Sequence, residues 1–184
     1  PPPMDPKFSL QELEEIGKSG VDLLLSDSTN AIKTGWCPSE DVVKPALVKV
    51  LKEAKGAVIG TTFSSNLWRL RSFIEAAQEA GRKVLICGRG LNTTLEIANE
   101  TNVYTPPSNI LVEEQNSDNI PKKDLLVLAT GCQGEWRAAL TRMSKGEGRA
   151  YKIGAGDTVV FSSRMIPGNE KPIINLTNQL LKIG

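Results

Sequence analysis

Apolar and polar positions alternate along the chain in blocks. Ala57-Val58-Ile59 runs through Gly60 into the polar turn Thr61-Thr62-Phe63-Ser64-Ser65-Asn66, and Leu67, Leu70, Phe73, Ile74 and Ala77 then recur at helical spacing. This predicts a strand, a turn and a helix from Asn66 to about Ala80 that packs one stripe on a sheet. The block repeats. Lys83–Cys87 reads as a strand, Gly88-Arg89-Gly90 as its turn, and a helix starts at Asn92 or Thr93 and runs to about Asn99. Ile110–Val112 is a short apolar run. Asp124–Ala129 is an apolar strand, Thr130–Glu135 turns, and a helix follows from about Glu135 to Met143. Asp157–Phe161 is the last strand, and Ser162–Asn169 leads to a helix over Lys171–Lys182.

Ahead of these blocks the pattern is less regular. Residues 1–8 are Pro-rich and read as extended, and Ser9 is placed to cap a helix over Leu10–Gly17 with Glu12 as its capping-box partner. Val21–Leu25 reads as a buried strand followed by Ser26-Asp27-Ser28-Thr29-Asn30. Ser39, Glu40 and Asp41 open a helix that becomes Lys-rich, as the helix dipole favours. Pro45 either kinks that helix or moves its start to about Lys44, and Gly56 ends it.

Strand–helix alternation predicts an α/β fold, a mainly parallel sheet with helices on both faces in a Rossmann- or flavodoxin-like three-layer arrangement. Ligands of such sheets bind beyond the carboxyl ends of the strands. The four polar segments TTFSSN, GRG, TGCQGE and SSRMIPGN each follow a predicted strand, so they should gather along that edge.

Composition narrows the chemistry. The 184 residues suffice for one ordinary core; 40% are apolar, 23% charged, and the net charge is +1, so any basic surface must be local. No membrane span or signal peptide is expected, and a start at Pro rather than Met suggests a processed or excised piece. Cys37, Cys87 and Cys132 are scattered, which fits reduced cytoplasmic thiols. The chain has no histidine, so a standard Ser-His-Asp triad is excluded and a usual zinc centre is not expected within it.

The residues of the turns point to phosphate. Ser64, Ser65 and Asn66 lie where a helix begins, Arg69 comes one turn later, and Arg89, Ser162, Ser163 and Arg164 lie in the other turns. Helix N–H groups and hydroxyls satisfy phosphate oxygens without reading sequence, and Arg adds a bidentate charge. Trp36, Trp68 and Trp136 offer stacking surfaces, although Trp68 adjoins an apolar stripe and suits core packing equally. The Gly88-Arg89-Gly90 turn is not a dinucleotide fingerprint, because residue 93 is Thr, and there is no Walker A pattern. The adjacent carboxylates at 40–41 and 113–114 make no acid/base pair. Asp27, just past a strand end, suits either a capping turn or site chemistry. On residue types alone, single-stranded nucleic acid and a small phosphorylated ligand remain open.

The motifs together resemble one family. SDSTNA (Ser26–Ala31), Ser39-Glu40, TTFSSN with Arg69, GRKV then GR (Gly81–Val84, Gly88-Arg89), TGCQGE with AAL and RM (Thr130–Met143), GDTVVFSS (Gly156–Ser163) and IPGNE (Ile166–Glu170) occur in the order of ribonuclease J. The chain resembles the β-CASP part of that metallo-β-lactamase-fold nuclease over nearly its whole length. It departs from the family pattern with Trp68 for His, Gly90 and Cys132 for Ser, and Trp136-Arg137 for Pro-Met.

The resemblance implies a 5′-to-3′ exonuclease and endonuclease on RNA, cytoplasmic and homo-oligomeric, with two zinc ions in the full-length enzyme and none bound by this segment. It implies that residues 1–34 end the metallo-β-lactamase domain, 35–165 form the β-CASP domain and 166–184 return toward the former. Single-stranded RNA would run between the two. Asp27 would orient a metal-binding histidine outside this chain. Ser64, Ser65, Asn66, Arg69, Arg89, Ser162, Ser163 and Arg164 would contact RNA. Two alternatives stay open: a non-catalytic RNA-binding or subunit-assembly module, and a flavodoxin-like enzyme acting on a small phosphorylated substrate.

Overall fold

The computed structural model describes residues 9–28, 31–35 and 38–184. The extended reading of residues 1–8, and the roles considered for Thr29, Asn30, Trp36 and Cys37, lie outside the described residues. The chain divides into two units, Pro1–Val42 and Val43–Gly184.

In the first unit, Ser9 Oγ accepts the Glu12 amide at 3.2 Å and starts α1 (Leu10–Ser19), with Gly20 as its C-cap. Of the two glycines that the sequence offers as stops, the helix passes Gly17 and ends at Gly20. The strand expected over Val21–Leu25 does not form: this segment is irregular, and Leu23, Leu24 and Leu25 are 73%, 79% and 85% exposed. A strand needs a ladder partner for its backbone groups, and among the described residues this segment has none. At Ser39 the chain makes a 3₁₀ turn over Glu40–Val42, with the Asp41 amide donating to Ser39 Oγ at 3.3 Å.

The second unit begins with α2 (Val43–Glu53), so Pro45 falls in the first turn, where its missing N–H costs nothing. Next come β1 (Val58–Thr61), α3 (Leu67–Glu79), β2 (Lys83–Cys87), α4 (Arg89–Glu100), β3 (Leu111–Val112), β4 (Leu125–Ala129), α5 (Ala139–Ser144), β5 (Thr158–Phe161) and α6 (Glu170–Leu181). The strands form one sheet in the order β3-β2-β4-β1-β5, and every pairing is parallel. Val58 pairs with Leu126 and Thr158, and Val84 pairs with Leu126 and Leu111.

Side chains alternate across the sheet, as the two-residue period demands. Val58, Val84, Leu126 and Leu128 face α2, α3 and α4, whose Leu51, Leu70, Phe73, Ile74, Leu91 and Leu95 complete one core. Ile59, Leu85, Leu125, Val127 and Ala129 face the other way, against Leu140 and Met143 of α5 and Leu176 of α6. This is the expected three-layer α/β fold. Gly60 is the tightest point: a Cβ there would lie 2.6 Å from the Phe73 ring, so β1 and α3 approach at this distance only over glycine.

Two buried polar groups tie the amino edge of the sheet. Arg82, 4% exposed, donates to the carbonyls of Leu51 (2.8 Å), Ala54 (2.6 Å), Gly56 (2.9 Å) and Leu125 (3.1 Å). It thereby occupies the orphan carbonyls that end α2. The Asp157 carboxylate accepts from Tyr151 Oη (2.7 Å), Lys122 Nζ (2.9 Å), Gly154 N (2.9 Å) and Ala57 N (3.1 Å). These staples leave the opposite edge to carry the polar turns. Among the described residues, no helix is long and apolar enough to cross a membrane.

Candidate nucleic-acid interface

Because all five strands run one way, the segments after β1, β2, β4 and β5 emerge at the same edge. Side-chain contacts join them. Asn66 caps α3, its Oδ1 accepting the Arg69 amide at 3.0 Å. Arg69 then reaches across to the segment after β5, where its Nη1 donates to both the carbonyl and the hydroxyl of Ser162 at 2.8 Å. A Cβ on Gly90, at the start of α4, would lie 3.0 Å from Ser64 Oγ, which brings the β1 and β2 turns together. Gly88 has φ of +149°, and a Cβ there would lie 2.5 Å from the Thr130 methyl carbon, so the β2 and β4 turns also touch.

Gln133 closes the set. It is 5% exposed. Its Nε2 donates to the Arg164 carbonyl (2.9 Å) and Ser163 Oγ (3.3 Å), and its Oε1 accepts from the Ile166 amide (2.9 Å) and Asn169 Nδ2 (3.3 Å). This single amide bonds the turn after β4 to the segment between β5 and α6. Nothing in its residue type marks Gln133 beforehand; the only signal is its place in the Thr130–Glu135 turn.

Two helix starts differ from the expected ones. Helix α4 begins at Arg89, so Gly88-Arg89-Gly90 is its N-cap and first turn rather than a separate loop. Glycine argued for a later start, but burial of Leu91, Leu95 and Ala98 on one stripe outweighs it. Helix α5 begins at Ala139 rather than about Glu135. Residues 130–138 stay turned because Leu140 N bonds the Thr130 carbonyl at 2.9 Å and the Gln133 amide bonds Glu135 Oε2 at 2.9 Å. Gly134 adds a reason, with φ of +73° and Pro172 backbone 2.6 Å from where its Cβ would be.

The expected site residues take different places. Ser65, Arg89 and Arg164 are exposed on this edge, and Ser64, Asn66, Arg69, Ser162 and Ser163 are half-buried within it. Asn66, Arg69 and the two serines after β5 already hold one another or the turns. Asp27 belongs to the first unit, where the Ser26 hydroxyl donates to its carbonyl at 3.3 Å. Trp68 is half-buried beneath the Arg71 guanidinium, 5.9 Å from the ring centre, whereas Trp136 is 69% exposed. Burial pushes the Cys132 thiol up, which removes it from thiolate chemistry at this edge. The two zinc ions implied by the resemblance find no ligand set: among the described residues no group of three His, Cys, Asp or Glu side chains converges.

A parallel α/β layer with helices on both faces and its polar turns gathered at the carboxyl edge defines a Rossmann-like domain. The sequence specifies the family. Residues 55–180 match the model for the ribonuclease J β-CASP domain, and the chain belongs to this family. It is 42% identical over 183 residues to a ribonuclease J of Sinorhizobium meliloti, covering 100% of this chain and 32% of that protein. It is 41% identical to one from Synechocystis (96% of this chain, 28% of that protein) and 37% identical to one from Mycobacterium tuberculosis (100% and 33%). The chain therefore spans about a third of the length of these relatives.

Proposed function

We propose that this chain is the β-CASP segment of a ribonuclease J-type, metal-dependent RNA exonuclease and endonuclease, and that its carboxyl edge forms one wall of a channel for single-stranded RNA. The observation that supports this most is the lacing of four polar turns into one surface by Arg69, Gln133, Gly88 and Gly90. Hydroxyls, amides and cations held in such a surface suit a phosphodiester backbone and carry no base code.

In this reading residues 1–34 end the metallo-β-lactamase domain, 35–165 form the β-CASP domain and 166–184 lead back. The hydrolytic centre lies in the flanking domain, consistent with a chain that holds no histidine. Asp27 there orients a metal-binding histidine. Ser65, Arg89 and Arg164 are the exposed backbone contacts, and Ser64, Asn66, Arg69, Ser162 and Ser163 hold the wall in shape beneath them.

Titration of the full-length protein with labelled oligouridylate and oligoadenylate tests this. Comparable affinities that fall steeply with salt are expected. Saturation by a mononucleotide with no gain from longer RNA would favour the small-ligand alternative.

A further inference from the structure

An open cleft of about 770 Å³ lies between the amino end of α4 and α5. Four cations line it, Arg89, Arg137, Arg142 and Lys145, against the carboxylates of Glu135 and Glu147. In a chain whose net charge is only +1, this is a local concentration of positive charge. The Glu135 carboxylate is drawn to the Gln133 amide at 2.9 Å. The ion pairs of Lys44, Lys52, Arg71 and Lys122 involve none of the cleft's cations. With four cations against two carboxylates, the cleft keeps a net positive charge that suits an anion.

The cleft also carries an aromatic surface. Trp136 is 69% exposed, and the Arg137 guanidinium lies 4.2 Å from its ring centre. That stacking holds the ring and leaves it exposed as a platform. Trp136-Arg137 is also where the chain departs from the Pro-Met of the family pattern.

We infer that this cleft is a further single-stranded RNA subsite, which takes a phosphodiester on Arg142 and Lys145, assisted by Arg89, and stacks a base on Trp136. The inference rests on the RNA reading above and extends it. The Arg69–Ser162 contact lies over β1 and β5, and the cleft lies beyond β2 and β4. With strands about 4.8 Å apart, a backbone crossing from β5 to β2 travels about 14 Å along the edge. RNA held at the four turns thus has a continuous path into the cleft.

The test uses the full-length protein, fluorescent oligouridylate and oligoadenylate, and a salt series. The variants are Arg142→Ala with Lys145→Ala, Trp136→Ala, Trp136→Phe, and Arg164→Ala as the reference for the turns. Removing Arg142 and Lys145 is expected to weaken both RNAs about tenfold and to flatten the log–log salt slope by about 1.4. Trp136→Ala is expected to weaken binding about tenfold and Trp136→Phe to restore most of it, because stacking accepts any aromatic ring. All these side chains are exposed, so melting temperatures should stay unchanged. Wild-type affinity and slope in the cleft variants, with Arg164→Ala weakened, would overturn the subsite and leave the RNA reading standing. No binding of RNA by the wild type would remove both.

Discussion

One nitrogen of the Arg69 guanidinium bonds both the carbonyl and the hydroxyl of Ser162, each at 2.8 Å. The residue that looks from its sequence position like an RNA contact is thus already a clamp between the β1 and β5 turns. Arg69→Ala should therefore cost about 2 kcal/mol of stability, and Ser162→Ala about 1 kcal/mol, since the carbonyl bond survives the second change. Chemical denaturation checks this: a lower midpoint at unchanged slope is expected for both, in that order.

Gln133 should be the most sensitive side chain of the edge. Gln133→Leu leaves the Ile166 amide and the Arg164 carbonyl without the partners that hold them. A loss of about 2 kcal/mol follows, or a melting temperature lower by about 6 °C for a domain of this size. An unchanged melting temperature would show that the two turns are held by other means.

The Asp157 node gives stability a pH dependence at the acid end. Burial alone would raise this carboxyl, but donors from Lys122, Tyr151, Gly154 and Ala57 outweigh it and hold the group below the usual carboxylate range. A carboxylate whose folded pKa is lowered contributes stability above the unfolded value near ~4, and that contribution is lost as pH falls through the folded pKa. Unfolding measured from pH 6 downward should therefore show stability declining below about pH 4, and Asp157→Asn should remove part of that slope.

The thiols at Cys87 and Cys132 should be inert in the folded protein. Burial pushes Cys87 up to about 12 and raises Cys132 as well, and both side chains are buried. Maleimide labelling at pH 8 followed by peptide mapping should find both unmodified until denaturant is added.

The sequence announces those parts of the fold that rest on local periodicity. Lys83–Cys87 is a strand with the expected bounds because its apolar run is closed on both sides, by Arg82 and by Gly88. The convergence of the polar turns follows from strand–helix alternation alone. Val21–Leu25 shows the limit of such reasoning, since an apolar run becomes a strand only beside a partner. The starts of α4 and α5 were hidden for a related reason: long-range contacts set them, Leu91 in the core for one and the Thr130 carbonyl for the other. At the site, residue type marks Arg69 and Ser162 as phosphate-binding groups, but only the structure shows that they hold each other. Helical spacing alone puts Arg142 and Lys145, three residues apart at the end of α5, on one face; the contacts of Gln133 and the approach of Arg89 to that face are tertiary facts with no local signal.

In the function proposed above, the carboxyl edge of this sheet binds the backbone of single-stranded RNA. Its most direct measurement is the salt dependence of RNA binding by the full-length protein carrying Ser65→Ala and Arg164→Ala, two exposed side chains that hold no turn in place through their own bonds. Weaker binding of oligouridylate and oligoadenylate alike is expected, with a log–log salt slope smaller by about 0.7 for the charge removed. Affinity and slope equal to those of the unmodified protein would contradict it.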